Sequence, residues 1–170
     1  FITKNKKVER VDIKKKEAMS NIIATGFSEI TAEDIKVIRN ERRTTLENQY
    51  NGEIKIFLPK CWTLEYDIAK SSLFKKIALA IELAKAEIQN KEINEQLTTK
   101  LEKKIDKKFN HGTNDQIAYE IFKPLNDGNV SKAITAQYMA SLLSDADKDT
   151  IETDEYWNYI VNAIKHVTEE

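Results

Sequence analysis

The chain has little cysteine, glycine and proline and no long apolar run, and these shortages exclude whole classes of protein. A single cysteine, Cys61, cannot form an internal disulfide, and with only two histidines beside it there is no Cys/His zinc cluster. No window approaches the roughly 18 consecutive apolar residues of a membrane-spanning helix. The first residues also lack the basic-then-apolar order of a signal peptide. These absences predict an intracellular, cytoplasmic protein without a membrane partner.

What is present favours helix. Only four glycines and two prolines occur in 170 residues that are rich in Lys, Glu, Ala, Ile and Leu. The net charge of −1 hides an asymmetry, because residues 1–110 carry +6 and residues 111–170 carry −7. A basic front of this kind is compatible with contacts to DNA phosphates. The solvated faces of lysine-rich helices explain the same asymmetry, so the charge pattern leaves both interpretations open.

Capping residues and apolar spacing predict about six helices. The first covers residues 11–25, and the second is capped by Thr31 and ends between positions 42 and 49. A long helix starts at Thr63, bends near Asn90 and continues as an apolar stripe over residues 93–109 that indicates a core or a helix–helix seam. Three shorter helices follow at residues 114–125, 131–143 and 154–167, the last with Tyr159 on its apolar face.

One segment is predicted to be a strand. Residues 53–58 follow the turn dipeptide Asn51-Gly52, alternate polar and apolar side chains before becoming continuously apolar, and end at Pro59. A lone strand needs partners for its backbone groups. We therefore expect the other strands to lie upstream of Phe1, which is not a methionine, in a longer protein. The predicted fold is α/β but predominantly helical in this chain.

The junction after this strand carries two carboxylates in the first turn of a helix. Thr63 is a suitable cap, and Glu65 and Asp67 follow it. Because helix N-termini favour negative charge, one interpretation is a well-capped helix and nothing more. The other is a site for a divalent metal at the carboxyl end of a strand, where open α/β sheets place their ligands. Periodicity alone does not choose between them.

A second candidate site is the start of the helix capped by Ser131. Lys132 opens this helix, where a cation is electrostatically unfavourable. Against a phosphate it would neutralise charge in a transition state, and otherwise it is a solvated lysine. The nearby acidic segment, residues 145–149, follows a helix and not a strand, and Thr150 occupies the glycine position of an EF-hand. We interpret it as a structural loop.

In their residues and their order these motifs resemble the OLD (overcoming lysogenization defect) family of ATP-dependent nucleases. The family's Thr-Leu-Glu-Tyr-Asp motif is matched in all five positions at residues 63–67. Its second motif, Lys-Gly-x-Phe-Ala-Gln, is matched by Lys132, Ala136 and Gln137. Ala133 and Thr135 depart from the pattern. The resemblance covers residues 52–167 and implies that residues 52–170 are the C-terminal portion of a Toprim-like nuclease domain.

The resemblance further implies a metal-dependent DNA endonuclease, of use in phage defence or DNA processing, that cleaves phosphodiesters with two Mg²⁺ or Mn²⁺ ions. Glu65 would be a metal ligand, Lys132 the lysine at the scissile phosphate, and Asp67 a further ligand or a structural carboxylate. We expect the remaining metal ligands to lie outside this chain. The resemblance also implies an ATPase domain outside it, which would bind ATP and form the contacts of a possible homodimer. Residues 1–51 would form a helical N-terminal segment.

A second function from another class fits the same residues. The chain is equally compatible with a non-enzymatic helical module that binds DNA or protein. In that case the stripe over residues 93–109 and the basic front would provide the recognition surface.

Overall fold

The computed structural model describes residues 23–25, 28–30, 32–51 and 54–168. A short antiparallel pair opens this part of the chain, with β1 (Ile23–Thr25) joined to β2 (Ser28–Ile30). The helices that follow are α1 (Ala32–Gln49), α2 (Leu64–Lys70), α3 (Phe74–Ile88), α4 (Glu95–Lys108), α5 (Asn114–Asn126), α6 (Lys132–Leu142), a 3₁₀ turn (Asp145–Asp147), α7 (Lys148–Thr153) and α8 (Asn158–Thr168). The predominantly helical character predicted from composition is confirmed.

Helix α3 is the centre of the fold. It packs against α2, α4, α5 and α6, and most of its apolar side chains are buried. Ala80 and Ala84 are completely buried, and their small side chains let neighbouring helices approach closely. A helix that is apolar on nearly every side belongs inside a bundle and not on its surface. Helices α2 and α6, which carry the candidate site, are thus both held by α3.

The apolar stripe over residues 93–109 is part of the core. Ile105 is buried, and Ile93, Leu101 and Phe109 are partly buried against the same cluster. Helix α4 is anchored on α3 through this stripe, while Lys103 and Lys107 remain exposed. The prediction of a helix–helix seam is therefore confirmed.

The prediction of a strand at residues 53–58 is wrong for residues 54–58, which are the five that the structure describes. Residues 54–58 form irregular chain, with no strand in the described segments from residue 32 onward. The backbone N–H of Ile56 instead donates to Glu47 Oε1 at 3.0 Å, and Phe57 packs against the His166 ring with centroids 5.8 Å apart. Alternating apolar residues indicate a half-buried segment, and here helices α1 and α8 supply the burial that a sheet would otherwise give.

Two of the long predicted helices also need correction. Most of the helix predicted at residues 11–25 lies outside the described residues, and its last three form strand β1. The helix beginning after Thr63 stops at Lys70, because Ser72 leaves the helical path to donate its N–H and its Oγ to Asp154 Oδ2, both at 2.8 Å. At the predicted bend near Asn90 the helix ends instead: α3 stops at Ile88, Asn90 adopts a left-handed φ of 53°, and α4 begins at Glu95.

The C-terminal helices occur close to their predicted positions. Thr113 and Ser131 cap α5 and α6 with their hydroxyls, as their types suggest. The acidic segment at residues 145–149 is helical and not a loop, and its buried Asp147 pairs with Lys76 at 2.7 Å. Helix α8 begins at Asn158, four residues later than predicted. In the part of the chain described, none of the helices combines the length and the apolar character needed to cross a membrane.

Candidate functional site

Asp67 organises the loop that leads into α2. Its side chain is fully buried. The carboxylate accepts the backbone N–H groups of Lys60 at 2.5 Å, of Cys61 at 3.0 Å and of Trp62 at 3.2 Å. Three successive N–H groups that turn toward one carboxylate fix the path of the loop. The chain therefore enters α2 in a single, well-defined direction.

Glu65 lies in the first turn of the helix that this loop positions. Thr63 caps α2 by accepting the N–H of Tyr66 at 3.3 Å. The start of the helix is therefore held by this cap and by the loop that Asp67 organises. The side chain of Glu65 is 21% exposed and reaches the surface. A carboxylate in this position is favoured by the partial positive charge of the helix N-terminus.

Lys132 approaches Glu65 from a different helix. It is the first residue of α6, where Ser131 accepts the N–H of Ile134 at 3.3 Å. The Lys132 ammonium lies 2.8 Å from Glu65 Oε1, and 52% of its side chain is exposed. A cation at a helix N-terminus is otherwise unfavourable, and the carboxylate of Glu65 offsets that cost. The two motif residues, 67 positions apart in the sequence, therefore meet at one surface point.

The environment of Glu65 keeps it ionised. Partial burial raises the pKa of its carboxyl. The hydrogen bond and charge of Lys132, its own backbone N–H and the Thr63 hydroxyl together outweigh burial, so the pKa lies below its ordinary value. At neutral pH Glu65 is therefore a carboxylate.

An aromatic cluster supports the pair from below. Trp62, Tyr66 and Phe122 contact one another edge to face, with ring centroids 5.0 to 5.9 Å apart. Phe122 is almost completely buried, and the Lys132 ammonium lies 6.0 Å from its ring centroid. Close-packed rings hold α2 and α5 in fixed relation. The cluster thus gives the surface pair a rigid base.

The structure brings together two of the three residues expected at the site. Glu65 and Lys132 are in contact, whereas the carboxylate oxygens of Asp67 point away into the loop and are engaged by backbone donors. This geometry agrees with the structural role that was one of the two open for Asp67. No group of three or more His, Cys, Asp or Glu side chains that could hold a metal ion occurs within the described ranges. Glu65 alone does not make a metal site.

The chain matches no family model, no curated protein and no solved structure. The resemblance to the OLD family therefore depends on the two motifs and on their order in the sequence.

A neighbouring residue that the sequence did not single out is Tyr159. Its position among apolar residues of the last helix indicated packing only. In the structure its hydroxyl is buried without a hydrogen-bond partner among the described residues. The nearby charges of Asp67 and Glu65 add to burial in raising its pKa. The one signal available in the sequence was Asn162, which lies three residues further along the same helix face.

Proposed function

We propose that this chain contributes the Glu65 and Lys132 side chains to the active site of an OLD-like, metal-dependent DNA endonuclease. The observation that carries the proposal is their 2.8 Å contact across two helices. Motif residues chosen from a sequence resemblance need not meet in space. These two do, at the surface and over a rigid base.

The chemistry open to the pair is the stabilisation of phosphate charge. Half of the Lys132 side chain is accessible to solvent, so a phosphodiester can reach its ammonium. A lysine held beside a phosphate offsets the negative charge that grows in the transition state of hydrolysis. Glu65 keeps the ammonium in place before substrate arrives, because the ion pair restricts an otherwise flexible side chain.

The described residues do not fit a complete metal site by themselves. Glu65 is the one carboxylate at the pair, and Asp67 is committed to three backbone N–H groups. The proposal therefore needs further ligands from other parts of the protein. The DNA substrate, the ATPase domain, the homodimer and the cytoplasmic setting belong to the same proposal and are supported by the resemblance alone.

The test is nicking of supercoiled plasmid by the complete protein with Mg²⁺ or Mn²⁺. We expect Glu65→Ala and Lys132→Ala each to lower the rate by about 10² to 10³, the range seen when one charge-stabilising group is removed. Rates equal to wild type in both variants would refute the assignment. No cleavage by the unaltered protein would refute the enzymatic function itself.

A second ion pair provides a matched control. Lys104 lies 2.7 Å from Glu82 Oε2, with side-chain exposures of 62% and 19%. These values are close to the 52% and 21% of Lys132 and Glu65. Lys104→Ala therefore removes a cation of similar pairing distance and accessibility, and Glu82→Ala also releases Lys85, which contacts Glu82 Oε1 at 2.6 Å. We expect both variants to nick at the wild-type rate.

The alternative is a non-enzymatic helical module, and the absence of a sheet in residues 32–51 and 54–168 favours it. The stripe on α4 is not the free recognition surface that this alternative requires, since Ile105 is buried and its neighbours pack on the core. A module of this kind would bind DNA or protein without cutting, and the Glu65 and Lys132 variants would behave as their controls do.

A further inference from the structure

Helix α4 presents a row of lysines to solvent on the side opposite to the core. Ile105 of this helix is buried, and Leu101 packs beside it against the core cluster. At 3.6 residues per turn, Lys100, Lys103 and Lys107 share the opposite face, and all three are exposed. Because a helix rises about 1.5 Å per residue, they branch from a line about 10 Å long. We call these three lysines the α4 ridge.

The α4 ridge differs from the other lysines of the same helix in its ionic partners. Lys104 pairs with Glu82 at 2.7 Å, and Lys108 pairs with Glu120 at 3.7 Å. Most of the lysines from residue 60 onward have a carboxylate partner of this kind, but none of the ion pairs among the described residues includes a lysine of the ridge. The cations that the fold leaves unpaired are thus concentrated on one helix face.

The carboxylates of α4 lie beside the ridge and not on it. Asp106 is engaged by Lys75 at 2.7 Å. Glu102 lies about 100° around the helix from Lys103, which places it on the flank. Glu95 lies in the first turn, before the first lysine of the ridge. The ridge therefore presents its positive charge outward without a carboxylate between its members.

A shallow, open depression runs along the N-terminal half of the ridge. Its volume is about 520 Å³, and Gln96 and Thr99 line it together with Glu95, Lys100 and Lys103. The amide of Gln96 and the hydroxyl of Thr99 are donors of the kind that bind phosphate oxygens. Neutral donors thus accompany the charges of the ridge.

The helix that carries the ridge is held in place by other parts of the fold. Asn94 caps α4 by accepting the N–H of Leu97 at 3.0 Å. The Lys104–Glu82 ion pair and the apolar stripe join α4 to α3. A partner therefore meets a preformed row of charges, and binding needs to order only the side chains of the ridge.

The chemistry of the ridge fits a phosphate backbone and not a membrane or a protein partner. A helix that lies in a membrane surface needs an exposed apolar face, but none of the large apolar side chains exposed in the described part of the chain belongs to α4. A protein interface is centred on apolar or aromatic anchors, which the ridge does not offer. Duplex DNA carries one charge per about 1.7 Å of its axis, so a row of lysines about 10 Å long meets several phosphates in any register.

We propose that the α4 ridge binds the phosphate backbone of duplex DNA, with its three lysines contacting phosphates and with Gln96 and Thr99 donating to phosphate oxygens. The choice of DNA over other polyanions rests on the proposed nuclease function. The ridge lies on a helix that carries neither Glu65 nor Lys132, so it positions the duplex and takes no part in cleavage. Contacts of this kind hold a duplex without reading its sequence.

The central test is the triple variant Lys100→Gln, Lys103→Gln and Lys107→Gln in the complete protein. Its binding to a labelled duplex oligonucleotide is measured by fluorescence anisotropy over a range of salt concentrations, without divalent metal so that the duplex stays uncut. Each single substitution should reduce the slope of log affinity against log salt by about 0.9, and the triple variant by about 2.7. At about 0.1 M salt the triple variant should bind about 10² times more weakly, because it releases fewer counterions.

Three control variants separate the position of a charge from its presence. The triple variant with arginine at the same positions keeps the charges and should bind with the wild-type slope. Lys104→Gln removes a lysine of the same helix that Glu82 already neutralises, and Lys123→Gln removes an exposed, unpaired lysine of α5. Both should bind DNA as wild type does. All variants should unfold at the wild-type urea concentration, because glutamine and arginine favour helix about as well as lysine.

The outcomes distinguish this inference from the proposed function. Wild-type affinity and salt slope in the triple glutamine variant would overturn the inference, and plasmid nicking would then still support the nuclease. Tighter ridge-dependent binding to phosphatidylserine vesicles or to a polyglutamate peptide than to DNA would overturn it as well. If the ridge binds duplex DNA but the unaltered protein does not nick plasmid, the inference stands and the nuclease function fails. An unaltered protein that binds no duplex DNA would show both to be wrong.

Discussion

Asp67 is expected to be the most sensitive polar residue of the chain. Its buried carboxylate accepts N–H groups from Lys60, Cys61 and Trp62. A hydrogen bond to a charged group contributes about 1.5–3 kcal/mol, and a donor left buried without a partner costs a similar amount. Because Lys60 is exposed, water can accept the hydrogen bond from its backbone N–H when the Asp67 carboxylate is removed. We therefore expect Asp67→Ala to lower the free energy of unfolding by about 4 kcal/mol, a large part of the about 5–15 kcal/mol typical of a domain.

The assay is urea unfolding followed by tryptophan fluorescence, to which Trp62 in the same loop contributes directly. Asp67→Asn should lose about 2–3 kcal/mol, because the amide keeps one acceptor but turns its NH₂ group toward the remaining donors. Asp106→Asn is the control. Its carboxylate pairs with Lys75 on the surface at 2.7 Å, and such pairs contribute less than about 1 kcal/mol. A loss below about 0.5 kcal/mol for Asp67→Asn would show that the loop does not depend on this carboxylate.

Three further predictions concern the same region. Phe122→Ala should lower the free energy of unfolding by about 3–5 kcal/mol in urea titrations, because it empties a buried site beneath the pair. Ser131→Ala should lose about 1 kcal/mol by removing the cap of α6, whereas the exposed Ser141→Ala should change little. The Glu65 carboxyl has a lowered pKa in the folded state, so its contribution to stability is full above the unfolded pKa of about 4.3 and is lost as the pH falls through the folded value. In acid-unfolding curves Glu65→Gln should therefore show a weaker dependence on pH than wild type.

Local signals in the sequence predicted the C-terminal half of the fold well. The start of α6 follows a capping serine, and the α4 stripe repeats apolar residues at helical spacing. Both features act within one helix, so neighbouring residues suffice to detect them. The presence of α5 and α6, and the core role of the stripe, could be predicted for this reason.

The errors arose where distant residues decide the local structure. Helix α2 ends because Ser72 donates a hydrogen bond to Asp154, which is 82 positions away. No sequence pattern near Ser72 predicts that partner. The apolar alternation in residues 54–58 indicated burial correctly but not the kind of neighbour, which is helical and not a strand. Burial by a helix and burial by a sheet impose the same pattern on a short segment.

At the candidate site, too, local features could be predicted from the sequence and contacts between helices could not. The residue types and caps at Glu65 and Lys132 were visible in the sequence, but their contact depends on how α2 and α6 pack on α3. Asp67 carried the same signal as Glu65, two positions along the helix. Only the fold distinguishes them, because one side chain turns to the surface and the other turns back into the loop.

The most direct test of the central claim is a double-mutant comparison of plasmid nicking by the complete protein. If Glu65 and Lys132 act as one catalytic unit, Glu65→Gln, Lys132→Met and the double variant should all nick about 10² to 10³ times more slowly than wild type, with the double no slower than either single. The corresponding Glu82 and Lys104 variants should nick at the wild-type rate. Equal rates in the Glu65, Lys132 and control variants would contradict the claim.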